Sequence, residues 1–344
     1  MPRYAQHTTG IRIKHVFVGL AGATLLFAIL PTSVSATTPG QNGLIAFRRF
    51  ADPDQTNSAL FVINPDGSHE TQITFPADNV VDAMGNWSPD GTRIAFTRTT
   101  SCGEDCGTDE LYVVNTDGSD VHRIDTPTPT IESPAWSPDG QWIAFSMATP
   151  VGVDGIDVSI WELHPDGSGL HQVTHPVAGQ SEDHAVQFSP DGSRIVIVRQ
   201  FGSCGDCPSI FTADATDGGH LTRVSPAGLK GFDHPDWSPD GRWVIFRTEA
   251  RAGGSWGVFV AHPDGTHVQL ILDGTRTGRQ FRSSTFSPDG TRMVISIIPG
   301  PDANADLWIG RFDASEHLAS LTQLTRTDAF ESSVRWGNAP LLGG

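Results

Sequence analysis

The sequence predicts an all-β fold: a six-bladed β-propeller of four-stranded antiparallel blades, its ring closed by the C-terminal strand pairing with the N-terminal blade. Three observations predict it. One turn motif recurs at nearly constant spacing. Each copy carries the same order of strands and turns. The chain also starts and stops at complementary points of that unit.

The motif is Trp87-Ser88-Pro89-Asp90-Gly91, repeated as Trp136 to Gly140, Phe188 to Gly192, Trp237 to Gly241 and Phe286 to Gly290, with a degenerate sixth copy at Trp336-Gly337. The aromatic positions are 49, 52, 49, 49 and 50 residues apart. Pro presets φ at the second turn position, Asp suits the third and Gly accepts the left-handed conformation that follows, so the motif joins two antiparallel strands. An apolar strand comes next in each copy, as in Ile94-Ala95-Phe96 and Val244-Ile245-Phe246. After a loop of variable length, a third strand such as Leu111–Val114 leads into a second turn, Asn64-Pro65-Asp66-Gly67 or His164-Pro165-Asp166-Gly167. A short fourth strand, such as Gln72-Ile73-Thr74 or Gln172-Val173-Thr174, ends the unit. No helical pattern separates the strands. Leu44–Phe47 supplies a second strand before any aromatic turn, and the last first strand reaches Trp336. The two ends are therefore expected to pair and complete one blade, leaving no free sheet edge.

These residues resemble the TolB-like β-propeller repeat family, whose WD-like signature is an aromatic-Ser-Pro-Asp-Gly turn before an apolar strand. The resemblance covers nearly all of the chain after the first 36 residues. It implies a propeller without the N-terminal α/β domain of TolB, so TolB's envelope role and lipoprotein partner are not carried over. The same repeat is similar to the propeller of prolyl-oligopeptidase-type enzymes, where a separate hydrolase domain does the chemistry; here the repeats consume the chain.

Residues 1–36 read as a signal peptide, and 37–344 as the propeller. Arg3, Arg12 and Lys14 precede an apolar run from Val16 to Leu30, and Val34-Ser35-Ala36 offers a small-x-small cleavage site. The run is shorter than the roughly 20 residues of a comfortable span, although an uncleaved anchor is the alternative. The expected location is the periplasm or the outside of the cell, with no membrane span once the signal is cleaved. Of 22 Lys and Arg, three lie in that segment, which leaves 19 against 39 Asp and Glu and a net charge of −20. Such a surface repels phosphate backbones, which excludes nucleic acid as the expected partner.

With the aromatic-ended strand innermost, all the tight turns fall on one face. The variable loops and the starts of the inner strands fall on the other, where function concentrates. Asp82, Glu132, Asp183, His184, Asp233, His234, Arg282 and Glu331 lie just ahead of the inner-strand aromatics. The spacing predicts that they converge as an acidic funnel at the channel mouth. The expected partner is a protein or a small cationic ligand bound by a monomer, and Ca²⁺ is the one cofactor that the carboxylates suggest. The competing structural reading is that these carboxylates cap strand ends or pair with neighbouring blades. Asp52, Asp54 and Thr56, and Asp302, Asn304 and Asp306, have calcium-like composition but lack the glycine and distal glutamate of an EF-hand loop, and read as solvated loop tips.

Cys102 and Cys106 occupy one outer loop, and Cys204 and Cys207 the matching loop two repeats later. Four thiols allow three pairings. Export favours oxidation, and the separation of the loops favours the local pairs Cys102–Cys106 and Cys204–Cys207 over a four-cysteine zinc site. The sequence contains no nucleophile elbow, zinc-protease helix, P-loop or dinucleotide fingerprint. The expectation is therefore a protein-interaction or ligand-binding module rather than an enzyme. The alternative is a metal-dependent lyase, lactonase or hydrolase with Asp183, His184, Asp233 and His234 as ligands or acid–base groups.

Overall fold

The computed structural model describes residues 39–343 apart from 53, 102–106, 152–154, 203–207, 228–229, 250–255, 302 and 314–316. The expected signal segment, the four cysteines and Asp302 lie outside the described residues. The chain opens with Ile45–Phe50 (β1), Ser58–Ile63 (β2) and Thr71–Gln72 (β3). Next come Val80–Trp87 (β4), Arg93–Ser101 (β5), Gly107–Asn115 (β6) and His122–Arg123 (β7), then Ile131–Trp136 (β8), Ile143–Val151 (β9), Gly155–Leu163 (β10) and His171–Gln172 (β11). Ser181–Phe188 (β12), Arg194–Phe201 (β13), Ser209–Asp214 (β14) and Thr222–Arg223 (β15) follow. So do Lys230–Trp237 (β16), Val244–Glu249 (β17), Trp256–Ala261 (β18) and Gln269–Asp273 (β19). The chain closes with Gln280–Phe286 (β20), Arg292–Ile298 (β21), Asp306–Phe312 (β22), Leu318–Gln323 (β23) and Glu331–Trp336 (β24). One element departs from the all-strand expectation: a single helical turn, Gly274–Thr277 (α1), capped by the Asp273 side chain and by Gly278 in the left-handed conformation.

Four sheets are four-stranded and antiparallel: β8–β11, β12–β15, β16–β19 and β20–β23. The remaining strands form one mixed sheet of eight, in which β24 pairs antiparallel with β1 and a lone parallel pairing, Ser58 with Val81, links β2 to β4.

The turns follow from local chemistry. The Asp90 carboxylate accepts from the Ser88 hydroxyl at 2.6 Å and from Thr92 N–H at 3.0 Å, and the Ser88 hydroxyl oxygen accepts Arg93 N–H at 2.9 Å. The same bonds recur around Asp139, Asp191, Asp240 and Asp289. Four of the fourth strands, β3, β7, β11 and β15, stop after two residues. The sequence reads β3 and β11 as one residue longer, and the reason for the early stop is a side chain. Thr74 and Thr174 hydroxyls take the N–H of Leu60 and Ile160, each at 2.9 Å, where a continuing ladder would use a carbonyl.

Six apolar clusters hold the sheets together, each drawn from two neighbouring units. Trp87 packs with Leu60, Val62 and Ile94, and Trp136 with Leu111, Ile143 and Phe145. The sixth joins Val294 and Leu307 to Ile45, Phe47 and Trp336. Burial of such large side chains is the main favourable term.

The turn glycines give a graded test. Gly91 and Gly140 both have φ near +70°. A Cβ at Gly140 would meet only Pro89 Cγ at 3.2 Å, whereas one at Gly91 would lie 2.8 Å from the Ala339 backbone nitrogen. Gly140→Ala is expected to cost about 1–2 kcal/mol from left-handed strain alone. Gly91→Ala should cost clearly more, because the C-terminal backbone must move; urea unfolding of both variants measures the difference, and equal losses would contradict the packing.

Candidate functional site at the start of the inner strands

The strands β4, β8, β12, β16, β20 and β24 pack side by side in that order, and β24 also touches β4. Each carries an irregularity three to two residues before, or beside, that level of its closing aromatic, where its register with the second strand slips. Four of them place a non-glycine residue there at positive φ: Ser133, Ala185, His234 and Ser333, between 48° and 53°. An extra residue in a strand resets which face the following side chains take. This bulge decides which candidate residues reach the axis.

Asp82, Asp183 and Glu331 stand five residues before the aromatic and point between sheets. All three side chains are 0% exposed. Asp82 accepts two bonds from Arg98, at 2.7 and 2.8 Å, and Asp183 two from Arg199, at 2.5 and 2.7 Å. Glu331 takes bonds from Arg49 at 2.6 and 2.9 Å and from the Thr325 hydroxyl. Burial pushes the Glu331 carboxyl above its ordinary range, a rise that Thr325 and Arg49 only partly offset. The arginines lie on aromatic rings of their own sheets: Arg98 over Tyr112 at 4.7 Å and Arg49 over Phe61 at 4.5 Å. At the same level of β8 and β20 the paired residues are apolar, Ile131 opposite Met147 and Phe281 opposite Ile297. The ion pairs thus fill the same layer as hydrophobic pairs. These three carboxylates belong to the packing between sheets, and the expectation that they line a funnel is corrected.

One residue further along, Ala83, Glu132, His184, Asp233, Arg282 and Ser332 leave from the other face of their strands. Glu132 is 60% exposed. His184 sits between it and Glu182, with Nδ1 3.6 Å from Glu132 and Nε2 3.3 Å from Glu182. Burial lowers the basicity of His184, but these two carboxylates outweigh it and raise its pKa; in turn His184 lowers that of Glu132. Asp233 pairs with Arg247, which also donates to the Phe281 carbonyl at 2.7 Å. Burial acts to raise the Asp233 carboxyl, yet His234 and Arg247 hold it well below the carboxylate range. His234 is mostly buried at the bulge, its Nδ1 2.6 Å from Asp233. Burial drives its pKa below the usual imidazole value. Arg282 reaches Gln280 at 3.5 Å and stacks 5.5 Å from the Phe330 ring.

The ring at this level is therefore mixed in charge rather than acidic. Sequence reasoning missed two of its members, Arg48 and Arg247, because they enter from the second strand. The four residues proposed as an enzymatic set are divided: Asp183 is committed to Arg199, His184 to the glutamates, and only Asp233 and His234 touch. Among the described residues no three His, Cys, Asp or Glu side chains gather as metal ligands. The described carboxylates of the calcium-like loops have protein partners: Asp52 accepts Thr56 and Asn57 N–H of its own loop at 3.1 and 2.8 Å, and Asp306 accepts from the Gln323 side chain and Thr327 N–H at 2.8 and 3.1 Å.

Asn86 of β4 donates to Gln187 of β12 at 2.8 Å, across the intervening β8. Ser133, Ala185, Asp233, His234 and Arg335 line a cavity of about 20 Å³, room for roughly one water molecule.

The fold is a TolB-like β-propeller. TolB from Acinetobacter baumannii superposes with a TM-score of 0.65 at 17% identity, over 89% of this chain and 68% of that one. A TolB candidate from Agrobacterium tumefaciens gives 0.53 at 21% identity, over 86% and 99%. An oligogalacturonate lyase from Vibrio parahaemolyticus gives 0.50 at 17% identity, over 78% and 77%. No protein-family model and no curated protein matches the chain.

The layered ion pairs generate a double-mutant test. Arg98→Met leaves the Asp82 carboxylate buried alone and is expected to cost about 3–5 kcal/mol. Adding Asp82→Ile rebuilds the Ile131–Met147 arrangement of the next sheet and should recover most of that loss in urea unfolding. A double variant as unstable as the single one would contradict the equivalence of the two layers.

Proposed function

We propose that this chain is an exported binding module that receives a protein segment or small ligand at the mouth of a six-bladed propeller. In this reading the eight-stranded sheet is two blades joined by the Ser58–Val81 pairing, and β24 with β1 completes the ring. The contact of β24 with both β20 and β4 supports that count. The basic, apolar and small-residue order of residues 1–36 supports export. No described helix is long and apolar enough to cross a membrane.

The observation that carries the binding reading is the polar cluster at the starts of successive inner strands, with the Asn86–Gln187 bond joining β4 to β12 beneath it. Exposed Glu132 and the part-buried His184, Asp233 and Arg282 come from four successive inner strands, so a rigid scaffold sets their spacing. In this reading the Asn86–Gln187 bond constricts the channel, so that the mouth acts as a cup. The division of Asp183, His184, Asp233 and His234 leaves less support for a metal-dependent reaction, and the arginines leave less support for Ca²⁺ or a cationic ligand.

Cross-linked capture from envelope and culture fractions tests this reading. It compares the unmodified protein with Glu132→Lys and Arg282→Glu, both of which keep the inter-sheet ion pairs. A partner held by the unmodified protein should be lost by at least about tenfold in each variant. A partner captured equally by all three would place recognition elsewhere.

A further inference from the structure

The charges of the ring are not evenly spread. Glu132, Glu182 and His184 gather on the β8 and β12 side. Arg48 and Arg282 come from β1 and β20, the two strands that flank β24. Arg48 donates to the Ser332 hydroxyl oxygen from Nε at 3.2 Å and from Nη2 at 2.9 Å. Its guanidinium lies 4.5 Å from the centre of the Phe50 ring. Burial pushes its pKa down to about 10. Arg282 lies over Phe330, and its buried Nε has no partner among the described residues. Phe50 and Phe330 are in edge-to-face contact, ring centres 6.0 Å apart, so the two arginines flank one aromatic wall. Among the described residues no carboxylate lies within ion-pair distance of either guanidinium. The second-strand arginines Arg49, Arg98, Arg199 and Arg247 differ, since each has an acid.

Arg93 and Arg335 are likewise part-buried with no carboxylate at ion-pair distance among the described residues, but Arg93 lies over Trp136 and Arg335 donates to the Val334 carbonyl. Arg48 and Arg282, by contrast, flank one aromatic wall, and Arg282 Nε is buried without a partner. Taking a cation from water is costly unless something compensates it, and a serine hydroxyl with a ring face compensates only in part. A planar guanidinium presents paired donors that match a carboxylate or phosphate. We propose that Arg48 and Arg282, walled by Phe50 and Phe330, form an oxyanion-binding subsite for a carboxylate or phosphate group of the ligand that enters the mouth. This deepens the binding-module reading and rests on it. It also reverses the sign of ligand that the sequence alone suggests.

Calorimetric titration of the whole protein with succinate and with inorganic phosphate, against chloride at matched ionic strength, tests the subsite. Saturable binding of at least one is expected, and the one that binds identifies the source of the oxyanion. Arg48→Met and Arg282→Gln should each weaken that binding by about tenfold or more. Ser332→Asp avoids deleting a packed side chain and places a carboxylate beside Arg48, so it should raise the melting temperature and abolish anion binding. No saturable heat with either anion, or undiminished binding in Ser332→Asp, would overturn the subsite. A partner captured through Glu132 by a protein that binds neither anion would overturn the subsite alone and leave the binding module standing.

Discussion

Successive side chains of a β-strand leave on opposite faces, and one extra residue reverses the count. That constraint, applied once near the start of each inner strand, organises the molecule. Without the irregularity at Ser133, Ala185, His234 and Ser333, the residue five places before the aromatic would face away from the layer the aromatic fills. With it, both ends of the strand pack between sheets, and the residues four places and one place before the aromatic leave from the other face. The former build the polar ring; the latter include Asn86 and Gln187, whose bond joins β4 to β12 beneath it. The cost is a left-handed conformation at non-glycine residues, which persists because the sheets on either side fix it.

The layer between sheets tolerates two chemistries at one level. Asp82 with Arg98, Asp183 with Arg199 and Glu331 with Arg49 are hydrogen-bonded ion pairs. Ile131 with Met147 and Phe281 with Ile297 are apolar. A buried pair of charges loses hydration and regains it through mutual attraction and hydrogen bonds, so it adds little net stability over an apolar pair. What it adds is intolerance: neither partner can be lost alone. A carboxylate five places before the aromatic therefore reports on packing, and one four places before it on the surface offered to a ligand.

Much of the fold was legible because its signals are local. The Ser-Pro-Asp-Gly turns, the apolar second strands and the complementary chain ends each depend on neighbours in sequence, and the pairing of β24 with β1 follows the expectation. The ring was harder to read. Asp82 and Glu132 look alike in sequence, and only the register of the bulge separates them. Arg48 and Arg247 escaped because a second strand carries them to the axis, a relation between residues far apart in the chain. The helical turn at Gly274 had a local signal, Asp273 before it and Gly278 after it, too short to stand out.

In the proposed reading the mouth is polarised, with glutamates and His184 on one side and arginines on aromatic rings on the other. All of this rests on the assignment of faces at the inner strands. Thiol labelling of Ile131→Cys and Glu132→Cys, counted above the background of the unmodified protein, tests that assignment most directly. The account expects a charged maleimide to modify Glu132→Cys in the folded protein and Ile131→Cys only on unfolding. Equal rates, or the reverse order, would mean that the bulge does not set the faces as described and that the ring is composed of other residues.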